Sequence, residues 1–182
     1  MEFCVRGNWA ISKLFHGDSV NLQTVSKNRI FLLNVWSTFC PPCLKELPIL
    51  EKINAKYKPN QKFTFMTLAL NSETELIQFT ESTDTTNPYN KVFRYSGLRR
   101  LDLPVIPSLT HGYIINQNGD GTFSAMLGNN KEVGILNKMF EMEGIPVTLL
   151  YNSNGKIVYR TNGSITDDRV ITNKIDSLLA TN

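Results

Sequence analysis

The stretch IFLLNVWSTFCPPCLKELPILEKINAKY, Ile30 to Tyr57, decides the fold. It opens with an unbroken apolar-rich run, Ile30 to Trp36, passes a polar hinge at Ser37-Thr38, and reaches Cys40-Pro41-Pro42-Cys43. Beyond the second cysteine, Leu44, Leu47, Leu50, Ile53 and Tyr57 recur at helical spacing. An apolar run without alternation predicts a strand buried on both faces, and the spacing after it predicts a helix packed on the sheet. The cysteines thus fall where a strand ends and a helix begins, with prolines at the first helical positions, where a missing N–H costs nothing.

A thiol at a helix N-terminus meets unpaired backbone N–H groups and the positive end of the helix dipole. Both favour the thiolate, the reactive form in disulfide exchange. Cys40, at the cap, is the expected exposed nucleophile; Cys43, one turn in, is the more buried thiol that resolves the mixed disulfide. Cys-x-x-Cys is also metal-ligand spacing, but Cys4, His16 and His111 supply no second paired motif, so no metal is expected. A purely structural bridge would close too short a loop to remove much unfolded-state entropy.

The segment LLNVWSTFCPPCLKELP resembles the active-site segment of the thioredoxin superfamily, in particular the envelope TlpA/ResA-type thiol–disulfide oxidoreductases. Asn34, Trp36, Thr38, Cys40, Pro42, Cys43, Glu46 and Pro48 match the pattern Leu-Asn-Phe-Trp-Ala-Thr-Trp-Cys-x-Pro-Cys-x-x-Glu-x-Pro, with Phe39 in place of its second Trp. Thioredoxins proper carry a buried Asp where this chain has Asn34. The resemblance implies an α/β thioredoxin-like fold, a mixed central sheet flanked by helices, in one domain over residues 1–182. It also implies a dithiol/disulfide cycle of Cys40 and Cys43 on disulfides of protein substrates. That cycle needs no metal or organic cofactor, and the resemblance implies that an upstream, membrane-borne thiol donor recharges it. Trp36, Pro41, Pro42, Ile145 and Pro146 are expected to contact substrate. Ile145-Pro146-Val147-Thr148 resembles the family's cis-proline loop; Ile106-Pro107-Ser108 is the competing candidate.

Glu46 lies three residues past Cys43, on the same helical face and roughly 5 Å away. Resolution requires Cys43 to lose a proton, which Asn34 cannot accept. On spacing alone Glu46 would be an exposed residue pairing with a nearby Lys. Its match to the family's Glu implies a proton-transfer role instead.

At 182 residues the chain suffices for one domain with a sizeable core. A net charge of +3 is too small, and the Lys and Arg too scattered apart from Arg99-Arg100, to imply nucleic acid or an anionic membrane as a partner, and none is expected. No apolar run approaches the ~20 residues that span a bilayer, and the start lacks the pattern of a signal peptide. The resemblance implies the cell envelope or periplasmic side, with any tether lying outside this chain and Cys4 a bystander or the remnant of an attachment site.

Trp9 to Val25 predicts short strands around a Gly17-Asp18 turn, an N-terminal hairpin extension. FTFMTLAL (63–70) predicts a second buried strand, and residues 73–81 a helix. Residues 90–95 suggest a short strand. Residues 96–132 read as an insertion carrying a hairpin around Asn118-Gly-Asp-Gly121, either shaping partner recognition or covering a sheet edge. Residues 131–143 predict a helix ended by Gly144, then come a hairpin over 145–160 and a last helix capped by Thr166. His16 and His111 receive no role. Two other readings use the same residues: a thiol peroxidase, which a stoichiometric peroxide assay separates, and a non-catalytic partner-binding module, which Cys40→Ser would leave functional.

Overall fold

The computed structural model describes residues 11–15, 17, 19–87, 101–108, 113–117, 123–127 and 142–181. Cys4, His16, Arg99-Arg100, His111, the strand expected over 90–95 and the helix expected over 131–143, save Met142 and Glu143, lie outside them.

The central sheet is built on β3 (Ile30–Trp36), whose seven residues are all buried. It runs parallel to β4 (Phe63–Ala69), also buried throughout, and antiparallel to β8 (Val147–Tyr151). With β5 (Val105–Pro107) beyond β4 and β9 (Ile157–Asn162) beyond β8, the five-stranded order is β5-β4-β3-β8-β9. This is the mixed sheet of the thioredoxin-like fold. Alternation along β3 divides the core between the two faces. Ile30, Leu32 and Trp36 pack under α2 (Pro41–Tyr57), α3 (Glu73–Glu81) and α4 (Arg169–Thr181); Phe31, Leu33 and Val35 face the other way.

The two long helices are held by their inner stripes. α2 buries Leu44, Leu47, Leu50, Ile53 and Tyr57, and α4 buries Ile171 and Ile175. The Tyr57 hydroxyl donates to Asp176 Oδ1 (2.7 Å), tying α2 to α4. α3 opens with a capping box between Ser72 and Glu75. The opposite face is covered in part by Leu14, Val20 and Val25 of the N-terminal segment. There β1 (Ile11–Lys13) and β2 (Ser19–Asn21) pair antiparallel and lead into a short helix, α1 (Leu22–Ser26), which Asn21 caps through Thr24 N–H.

Two expectations are corrected. The insertion expected over 96–132 begins too early, because Val105–Pro107 is a strand of the core sheet, parallel to β4. Within the same span, β6 (Tyr113–Gln117) and β7 (Phe123–Leu127) pair antiparallel in a separate two-stranded sheet. The last helix starts at Arg169, not after a Thr166 cap. Asp167 is turned to Arg169 in an ion pair of 2.6 Å, and the Asp168 carbonyl accepts the Thr172 N–H.

Candidate active site

Cys40 is the N-cap of α2 and Cys43 its third residue, with Pro41 and Pro42 between them at N1 and N2. The extended backbone of Cys40 (φ −107°, ψ 94°) aims its side chain back at the first turn. Cys43 N–H donates to Cys40 Sγ at 3.2 Å; the prolines have no N–H to add. The two cysteines are joined in a disulfide. Cys43 is wholly buried and Cys40 is 7% exposed, so both are more enclosed than a free nucleophile at a cap would be, and Cys40 is the accessible member.

Facing the disulfide is the turn into β8. The Ile145–Pro146 peptide bond is cis, and the Ile145 carbonyl oxygen lies 3.7 Å from Cys40 Sγ. In the disulfide this is a contact; a reduced Cys40 thiol has a proton to donate along the same line. Ile145 is half-buried and Pro146 buried, while Pro41 and Pro42 are exposed. Pro107, in β5, pairs in register with Ala69 at the other side of the sheet. A cleft of about 460 Å³ opens beside the disulfide, bounded by Pro41, Pro42, Lys45, Ile49 and the Ser164–Thr166 turn. Ser164 Oγ donates to the Pro42 carbonyl (2.7 Å) and closes that turn onto the motif.

Trp36 lies elsewhere than the substrate-contacting position expected of it. It is wholly buried, with its ring against Phe79 at 6.3 Å between centroids, so it supports the site from below and offers no surface to a partner. The even-numbered residues of β3 point under α2, and Trp36 is the last of them.

Glu46 is wholly buried, which overturns the alternative of an exposed residue paired with a lysine. Its Oε1 accepts from Asn34 Nδ2 (2.8 Å) and its Oε2 from the Ile165 N–H (2.7 Å). Neither donor is charged. Burial pushes its pKa up to about 7, against the pull of the Ile165 N–H and the Asn34 amide. A carboxyl poised there, one turn from a buried thiol, is matched to proton transfer near neutral pH.

Asn71 is a site residue that sequence reasoning missed, having read it as the end of a strand. Its Oδ1 accepts the Thr38 N–H (2.9 Å) and its Nδ2 donates to Thr38 Oγ1 (2.8 Å). This reciprocal pair clamps the loop that delivers Cys40 to the end of β4, and both residues are wholly buried. The only local signal was a polar residue after an apolar strand. Asn71→Ala leaves the buried Thr38 N–H without its acceptor, at a cost of about 1–3 kcal/mol. Urea unfolding of the oxidised protein will show it as a lower midpoint at unchanged slope.

The sequence profile of the Redoxin family matches residues 13–177. The chain is 29% identical over 104 residues to the thiol-disulfide oxidoreductase ResA of Halalkalibacterium halodurans, covering 57% of each chain. It is 33% identical over 78 residues to the thioredoxin-like protein YneN of Bacillus subtilis, covering 42% of this chain and 45% of that one. The chain therefore matches about half the length of these curated relatives. A solved thiol-disulfide oxidoreductase from Bacteroides fragilis superposes with a TM-score of 0.58 at 19% identity, over 92% of this chain and 95% of the other, a likeness of fold.

Proposed function

We propose, from the premise that this chain belongs to the Redoxin family, that it is a thiol–disulfide oxidoreductase that reduces disulfides in protein substrates. One observation carries the reading: a Cys40–Cys43 disulfide at the N-terminus of α2, set against the Ile145 carbonyl and followed one turn on by a buried carboxyl.

The cycle starts from the reduced pair. The Cys40 thiolate attacks one sulfur of the substrate disulfide, and the other sulfur leaves as a thiolate that takes a proton. Cys43 gives its proton to Glu46, attacks Cys40 Sγ and displaces the second substrate sulfur. Two electrons pass to the substrate and the Cys40–Cys43 bond is restored. The backbone at Ile145 pairs with an extended substrate segment, and the cleft over Pro41 and Pro42 receives its side chains. The pair itself is the redox group, and no organic cofactor or metal enters the cycle. A separate thiol donor must return two electrons; in keeping with the family, we place that donor in a membrane and the protein on the envelope side. Among the described residues no helix is long and apolar enough to cross a membrane.

The direction of flow follows from the cap. With prolines at N1 and N2, the Cys40 thiolate keeps the Cys43 N–H and loses two other donors. A modestly stabilised thiolate makes a reducing couple. The expected potential lies near about −270 mV, far from the roughly −120 mV of a strong oxidase. The experiment pairs equilibration against glutathione with insulin reduction. A potential above about −160 mV, or no catalysed insulin reduction, would overturn the assignment.

A further inference from the structure

Asn34 is wholly buried in β3, opposite Thr148 of β8 in register. Its Nδ2 donates to Glu46 Oε1 (2.8 Å) and to Thr148 Oγ1 (3.0 Å), while its Oδ1 has no hydrogen-bond partner among the described residues. A buried amide oxygen left without a donor is uncommon and calls for a reason.

The arrangement suits one charge state of Glu46. As a carboxylate it accepts at both oxygens, from Asn34 and from the Ile165 N–H. A proton added at Oε2 would confront the Ile165 N–H, a backbone donor that cannot turn. A proton added at Oε1 confronts Asn34, whose amide has two ends of nearly equal size. Turned over, the amide presents Oδ1 to the Glu46 O–H. It also presents Oδ1 to Thr148, whose hydroxyl can donate as readily as it accepts.

We propose that Asn34 is a positioning residue that reverses its side-chain amide when Glu46 gains or loses a proton, the Thr148 hydroxyl changing from acceptor to donor in step. The orphaned Oδ1 is then the acceptor held for the protonated state. The proton is taken into the core without a second charge beside it, which an Asp at position 34 would supply. Among the described residues, other titratable groups leave this exchange to these three. On α2, Cys43 is one turn away and Lys45 is exposed. Beyond Ile165, Asp167 and Arg169 pair with each other, and on α4 Asp176 is held by Lys56 and Tyr57. On β9, Thr161 is opposite Thr148, and alternation turns Arg160 to the other face.

The inference rests on Glu46 being the proton partner of Cys43, but the reversal is readable in the oxidised protein, where no turnover occurs. In isotopically labelled wild-type protein the Glu46 carboxyl carbon should titrate near pH 7, with the Asn34 side-chain amide resonances moving at the same midpoint. In Glu46→Gln the new amide supplies the donor that a protonated carboxyl has. The Asn34 resonances should then stay at their low-pH positions throughout. Asn34→Leu removes a hydrogen bond to the charged form and should raise the Glu46 midpoint by about one unit, while Thr148→Ser keeps the coupled titration. Asn34 resonances that stand still while Glu46 titrates would overturn the reversal, even if Glu46→Gln alters the pH dependence of turnover. If they move with Glu46 but turnover ignores Glu46→Gln, the reversal stands and the catalytic role of Glu46 falls.

Discussion

Cys43→Ala should convert the protein into a trap. Cys40 keeps its place at the cap and still attacks a substrate disulfide, but the thiol one turn along α2 that would release the product is gone. Intramolecular attack by an oriented thiol has an effective molarity far above the millimolar level of any external thiol, so turnover should fall at least ~10³-fold. The covalent complex should survive non-reducing gel electrophoresis and disappear on reduction. Cys40→Ser, which removes the first attack, should give neither turnover nor complex. A Cys43→Ala protein that still turns over at the wild-type rate would show that Cys43 is not the resolving thiol. Because Cys43 is wholly buried against the α2 core, truncation also leaves a small cavity, and a far-ultraviolet spectrum at assay temperature controls for folding.

Glu46→Gln should act on two measurements with opposite consequences. Turnover near neutral pH should slow about 10²-fold, the usual scale for losing a positioned acid–base group, and the limb of the pH–rate profile near pH 7 should vanish. Stability should change the other way. The folded carboxyl binds its proton more tightly than the unfolded one, with a pKa of about 7 against 4.5. Between those values the folded state holds more protons, so wild-type stability falls as pH rises through the window. The loss approaches about 3 kcal/mol above pH 7 and is absent below pH 4.5. Glu46→Gln has no proton to lose and should show no such decline in urea midpoints. An unchanged pH–rate profile would end the proton-transfer role; a wild-type stability flat across the window would mean that Glu46 is ionised at little cost.

What could be read beforehand was what is local. β3, α2, β4 and α3 each announce themselves, because a strand buried on both faces is continuously apolar and an amphipathic helix repeats its stripe. The cysteines follow from the junction between two such elements. β5 could not be read this way: it has three residues, lies among Pro104 and Pro107, and owes its place to β4, almost forty residues back. The burial of Glu46 was equally out of reach, since it is made by Asn34 on the strand beneath α2 and by Ile165, 119 residues on. Asn71 clamps Thr38 across 33 residues. Trp36 was misplaced for a subtler reason: an apolar run says that a strand is covered, but not which end of it reaches the surface.

The short fifth strand also bears on how this fold avoids sticking to other chains. An open sheet edge invites loose strands of other chains to add on and seed a precipitate. Here the β5 margin gives such a chain little to grip. The Val105 carbonyl is already taken by the Phe15 N–H at 2.8 Å, and Pro107 has no N–H to offer. At the far margin, the register shift between Leu150 and Tyr151 disturbs the ladder that β9 shares with β8, and such irregularities twist an edge away from flat pairing.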